Sequence, residues 1–199
     1  VKDISIPVEE RTLEREDSVT ISSEAAQQEA RRCMNCGCYS VNASDLSPVL
    51  VALGATVKTS RRELPAAELF TESLKVKDML EPDEIVTEIS IPLSEGRTAH
   101  YDKFRLRDSV DFAMVSLASA YELDGGVIKS ARLVFGGVAP VPLRREAAES
   151  YLTGKAPSEE TAEEAARIAL EGAVPFEKNV YKVQVAQSLI KQSVLRLMA

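Results

Sequence analysis

Two apolar runs joined by a two-glycine turn constrain the fold of this chain more than any other feature. Phe112 to Leu123 is rich in strand-forming residues, Asp124-Gly125-Gly126 follows, and Val127 to Phe135 returns with the same texture. Paired glycines supply the positive φ angles of a tight hairpin, so the two runs predict long antiparallel strands. Tyr101 to Leu106 reads as a further strand, reached through the charged turn RDSVD. Gly136-Gly137 permits a bulge or a close backbone approach, and Pro140 and Pro142 stop the sheet. Helical segments come next: Arg144 to Leu152 ending at Gly154, then Glu159 to Glu171 capped by Ser158. A last helix begins at Asn179 or Val180, with Val183, Ala186, Leu189, Ile190, Val194 and Leu197 at three- and four-residue spacing. The second half is thus expected to be an antiparallel sheet covered by helices, an α+β arrangement.

Upstream, Val1 to Ser22 reads as a charged, extended linker, and Ser22-Ser23-Glu24 opens a helix running to about Arg32. That helix delivers Cys33, Cys36 and Cys38, which are all the cysteines of the chain. Asn42-Ala43-Ser44-Asp45 precedes Leu46, Val49, Leu50 and Leu53, a cap-and-helix signature. Ser44 or Asp45 is expected to accept from the first backbone N–H groups of the helix, and Gly54 to close it. Ala55 to Thr59 alternates like a short strand, and Pro65 starts a helical turn. Asp83 to Leu93 predicts a strand with Ile85, Thr87, Ile89 and Ile91 on one face. Ser94 to Thr98 is the best domain boundary. No internal repeat or low-complexity tract is present.

With 199 residues the chain can hold one large domain or two small ones. A net charge of −7 argues against nucleic acid or an anionic membrane as the main partner. No apolar run approaches the ~20 residues of a membrane span. The start at Val1 has no signal-peptide character, so the chain is expected to be a cytoplasmic piece of a longer polypeptide.

Three stretches carry candidate chemistry. C-x-x-C-x-C brings three thiolates within reach of one metal or one edge of an iron–sulfur cluster. A complete set needs a fourth ligand, and His100, the only histidine, is remote in sequence. Cluster ligands in the intact protein and free thiols are both open readings of Cys33, Cys36 and Cys38. The second stretch is KFRLRDSVD, in which Lys103, Arg105 and Arg107 alternate onto one strand face with Asp108 and Asp111 near by. Such a face suits a phosphate or an electron-rich ring, or is a solvated face with cross-strand ion pairs. The third, Gly136-Gly137-Val138-Ala139-Pro140, lacks any phosphate-loop pattern and reads as backbone crowding. Nothing in spacing alone proves catalysis.

The block YDKFRLRDSVDFAMVSLASAYELDGGVIKSARLVFGGVAPVPLRREAAESYLTGK, with K-x-x-x-R-x-x-x-D-x-A-x-V and GGVAP-x-P-x-R within it, resembles the C-terminal domain of molybdenum hydroxylase flavoprotein subunits. Carbon monoxide dehydrogenase medium subunits and xanthine dehydrogenase flavin domains belong to that family. Asn42 to Ala55 and Asp83 to Pro92 resemble the second half of the FAD-binding domain that precedes it. The resemblance implies that Ser44 and Asp45 help bind FAD and that Lys103 lies near the flavin ring. The family's glycine-rich pyrophosphate lobe has no counterpart here, so the flavin scaffold is expected to be partial. EAAQQEARRCMNCGC is similar instead to the E-A-x-R-C-x-x-C element of glutamate-synthase small-chain-type oxidoreductases. This implies a fusion: an NAD(P)/FAD iron–sulfur oxidoreductase upstream, then a segment used for docking or electron relay.

Three parts are therefore expected: residues 1–40, a linker and cysteine-rich helix end; 41–96, a remnant of an FAD-binding α/β domain; and 97–199, the flavoprotein C-terminal-like domain. The segment alone is not expected to catalyse. The implied partners are the upstream domains of the same polypeptide, a molybdenum hydroxylase subunit and a second copy of the chain. A non-catalytic interaction module that has lost flavin binding is the alternative.

Overall fold

A computed structural model describes residues 22, 24, 45–70, 79–107 and 111–198. The chain divides into two compact units, Val1–Gly37 and Cys38–Ala199. Every element below belongs to the second unit.

Helix α1 (Leu46–Leu53) is apolar on all sides, and a helix of that kind must be buried on more than one face. Leu50 enters one core with Ala55, Val57, Leu64, Ala66 and Leu69. Val51 and Ala52 enter another with Ala118 and Val134. The helix is thus wedged between two sheets. Gly54 closes it at φ +68°, where its N–H donates to Leu50 and Val51 carbonyls, as its sequence position suggests.

The smaller sheet has strand order β2-β1-β3, formed by β1 (Thr56–Thr59), β2 (Glu63–Pro65) and β3 (Val86–Ser90), all antiparallel. Pro65 leads into a 3₁₀ turn over Ala66–Leu69. Strand β3 is shorter than the sequence suggests. Ile85, Ile89 and Ile91 are all exposed, because β3 lies at the sheet edge beyond the α1 core.

The larger sheet runs β4-β5-β6-β7, with β4 (Arg97–Phe104), β5 (Val115–Asp124), β6 (Val127–Gly136) and β7 (Leu143–Arg144). The hairpin between β5 and β6 turns on Gly125 and Gly126 at φ +57° and +82°. Both faces of β5 are covered, so its central residues are buried without alternation. Ala118 faces α1, whereas Val115, Leu117 and Tyr121 join the main core with Leu133 and Phe135. Helices α2 (Glu146–Leu152), α3 (Glu159–Ala169) and α4 (Tyr181–Leu195) close that core from the opposite side. Each fully buried leucine there contributes about 1.5–3 kcal/mol. Ser158 caps α3, accepting from Thr161 N–H at 3.0 Å. The result is the mixed α/β architecture with antiparallel sheets that the hairpin and helix signals predict.

Several boundaries differ from the sequence reading. The sheet does not stop at Pro142, because Leu143 and Arg144 pair with β6 as β7, and the helix expected from Arg144 therefore begins at Glu146. The connection expected over Ser94 to Thr98 is already strand from Arg97, because Arg97 and Thr98 pair with Glu122 and Tyr121. Phe112 to Met114 lies outside β5, and Phe112 is largely exposed.

Candidate functional site

The Asp45 carboxylate gathers the site. One oxygen accepts from the Tyr101 hydroxyl at 2.7 Å, and the other from Lys103 Nζ at 2.6 Å. Tyr101 and Lys103 are two positions apart on β4, so strand geometry places both side chains on the sheet face that carries α1. Asp102, between them, points to the helical side and pairs with Arg196 through both carboxylate oxygens, at 2.8 and 3.2 Å.

Asp45 stands at the N-cap position but does not cap. Its backbone is already helical (φ −64°, ψ −23°), and its side chain makes no bond to the first turn. This corrects the capping role expected of Asp45. A charged ammonium and a phenol are stronger partners than a backbone N–H, and the helical φ/ψ turns the carboxylate away from the first turn. Ser44 lies outside the described residues.

The Lys103 side chain is only 17 % exposed, against 45 % for Asp45. Burial above all pushes the Tyr101 phenol up, and the neighbouring Asp45 carboxylate adds to the shift. Tyr101 therefore keeps its proton and acts as a donor. Lys103 also borders an open groove against α4, shared with Phe104, Gln184 and Leu189. Its charge reaches Asp111, whose carboxyl is held below the usual range mainly by Arg107 and in part by Lys103.

The expected row of Lys103, Arg105 and Arg107 does not form one strand face. Strand β4 ends at Phe104, and alternation ends with it. Arg107 turns to Asp111 instead, at 3.0 Å. Asp108 lies outside the described residues, as do Cys33, Cys36 and Cys38. Among the described residues no cluster of His, Cys, Asp or Glu has the geometry of a metal site. Among them, too, no helix is long and apolar enough to cross a membrane.

Sequence reasoning singled out Asp45 and Lys103 and missed Tyr101. The available signal was its spacing from Lys103. The GGVAP loop behaves as backbone crowding: a Cβ on Gly137, at φ +75°, would lie 3.0 Å from the Ala113 and Met114 carbonyls.

Residues 99–197 match the family profile of the CO dehydrogenase flavoprotein C-terminal domain. Residues 20–94 match the FAD binding domain in molybdopterin dehydrogenase. The chain belongs to the flavoprotein family of the molybdenum hydroxylases. Asp45 sits in the first matched region of this flavoprotein-family chain, and Lys103 in the second.

The carbon monoxide dehydrogenase medium chain of Hydrogenophaga pseudoflava is 30% identical over 138 residues, covering 67% of this chain and 47% of that protein. The glyceraldehyde dehydrogenase medium chain of Sulfolobus acidocaldarius is 33% identical over 117 residues, or 57% of this chain and 41% of the relative. Among solved structures, carbon monoxide dehydrogenase from Hydrogenophaga pseudoflava superposes with a TM-score of 0.70 at 28% identity. That match covers 85% of this chain and 64% of the neighbour. The flavoprotein-family chain therefore spans less than half of the length of the two medium chains.

Proposed function

We propose that this segment serves docking and electron relay in a larger oxidoreductase, around a partial flavin-binding scaffold built on Asp45, Lys103 and Tyr101. The observation that carries this reading is the Asp45–Lys103 bond, which ties the start of α1 to β4. It joins the two regions matched by the two flavoprotein profiles.

The donor set suits FAD, the cofactor the family implies. The largely buried Lys103 ammonium, with one N–H given to Asp45, keeps two N–H donors for the carbonyl or phosphate oxygens of such a group, while the Tyr101 O–H is spent on Asp45. Lys103 and Asp45 would hold it, together with Ser44 by family resemblance. When bound, a flavin supplies one- and two-electron transfer. Asp45 fixes the Lys103 ammonium in place, and Tyr101 fixes Asp45 in turn.

The three-part division at residues 40 and 96, the upstream NAD(P)/FAD domains and an iron–sulfur role for Cys33, Cys36 and Cys38 belong to the same proposal. The C-x-x-C-x-C spacing and its E-A-x-R-C-x-x-C setting support the last two. A molybdenum-bearing subunit is the partner this reading implies, since relatives are named as medium chains of dehydrogenases.

A fluorescence titration of FAD with the purified chain tests the scaffold. Saturable binding is expected, weakened at least tenfold by Lys103→Ala and by Asp45→Asn. Binding indifferent to both substitutions overturns it. Absence of binding supports a second reading, a non-catalytic interaction module, which the exposed Ile85, Ile89, Ile91 and Leu93 around β3 favour.

A further inference from the structure

A separate cavity of about 220 Å³ opens between the β6–β7 connection and the loop joining α3 to α4. It lies on the helical side of the larger sheet, whereas Asp45 and Lys103 meet on the α1 side. Phe135, Leu143, Val183 and Ala186 give it apolar walls. Arg145, Asn179 and Lys182 bring polar groups to the same space.

Two cations mark it as more than a packing gap. Lys182 Nζ donates to the Gly137 carbonyl at 2.7 Å, one contact for a group with three donors. Burial pushes the Lys182 ammonium down from its ordinary value, so an anion beside it regains what dehydration took. Arg145 contributes a second cation, anchored by one N–H to the Glu171 carbonyl at 3.0 Å. Among the described residues that line the cavity, Glu171 alone carries a carboxylate, and it is exposed.

We infer that this cavity binds a small organic carboxylate with an apolar, ring-sized body. The carboxylate meets Lys182 and Arg145, and the body fills the space against Phe135 and Leu143. The volume admits a single substituted ring and excludes a dinucleotide. The inference stands on this cavity alone and does not depend on flavin binding at Asp45.

The test titrates the chain with benzoate, 4-hydroxybenzoate and benzyl alcohol while following amide shifts by NMR. Saturable shifts around Lys182 and Arg145 are expected with both acids, with the neutral alcohol at least tenfold weaker. Lys182→Met should weaken the acids at least tenfold, about 1.4 kcal/mol. Shifts that never saturate, that localise elsewhere, or that persist unchanged in Lys182→Met overturn the proposal. Equal affinity for acid and alcohol overturns it as well. Should Lys182→Met fail to fold, Lys182→Arg must keep binding and a benzoate co-crystal must show the ring in this cavity; failure of either is decisive against it.

Discussion

Asp45 and Lys103 lie 58 positions apart in sequence and meet through a 2.6 Å bond between carboxylate and ammonium. The bond fastens the residue that precedes α1 to β4, an edge strand of the larger sheet among the described residues. It is therefore both a strut of the fold and the centre of the candidate site. Because Asp45 keeps nearly half of its side-chain surface in water, the bond stabilises only modestly. A double-mutant cycle with Asp45→Asn and Lys103→Met should return a coupling of about 1 kcal/mol in urea unfolding. Zero coupling would show that the two groups do not interact in solution.

Glu84 provides a pH-dependent lock on the smaller sheet. Its buried carboxylate accepts from Thr59 Oγ1 at 2.6 Å, Arg62 Nε at 2.9 Å and the Glu81 N–H at 3.0 Å. These bonds, Arg62 first, hold its pKa at about 2 against an ordinary 4.5. The folded-state value is the lower one, so the stabilisation is complete above about pH 4.5 and is lost as pH falls toward 2. Chemical denaturation at a series of pH values should show this acid loss in the parent chain and a flatter profile in Glu84→Gln. Identical profiles would remove Glu84 from the acid response.

Local turn chemistry made much of this architecture legible. Gly125-Gly126 and the Ser158 cap act within a few residues, so no tertiary partner can reassign them. Asp45 failed as a cap for the opposite reason: its partners come from 56 and 58 positions away and outcompete the adjacent backbone. The same logic explains Arg107, which left the expected cationic face once β4 had ended. The isoleucines near β3 kept their alternation, but alternation reports a face and not what covers it.

Glu149 is a second buried carboxylate whose loss should be costly. It accepts from the Leu133 N–H at 2.8 Å, where β6 has no strand partner for that group, and from Arg144 Nη2 at 2.7 Å. Arg144 closes the GGVAP-x-P-x-R pattern, and its bond to Glu149 gives that arginine a structural role in fixing β7 to the first turn of α2. Glu149→Ala removes the acceptor and leaves a buried N–H unmet, a loss of about 3 kcal/mol. Glu149→Gln retains an acceptor for Leu133 and should lose roughly half as much. Urea midpoints of the two variants check the order; equal, small shifts would refute it.

Gly136 tests how closely α1 must approach the larger sheet. Its backbone needs no unusual φ, so the demand for glycine is purely steric. A Cβ there would sit 2.5 Å from Ser116 Oγ and 3.2 Å from Pro48 Cγ, on the face where α1 packs. Ser116 can rotate or shrink, whereas Pro48 is a rigid ring in the first turn of α1. Gly136→Ala should therefore destabilise by about 1–3 kcal/mol, and adding Ser116→Ala should restore only part of it. The residual cost measures the Pro48 contact, and it should appear together with weaker Asp45–Lys103 coupling as α1 is pushed outward. Full rescue by Ser116→Ala would mean that Pro48 yields freely and that the start of α1 is not held against this sheet.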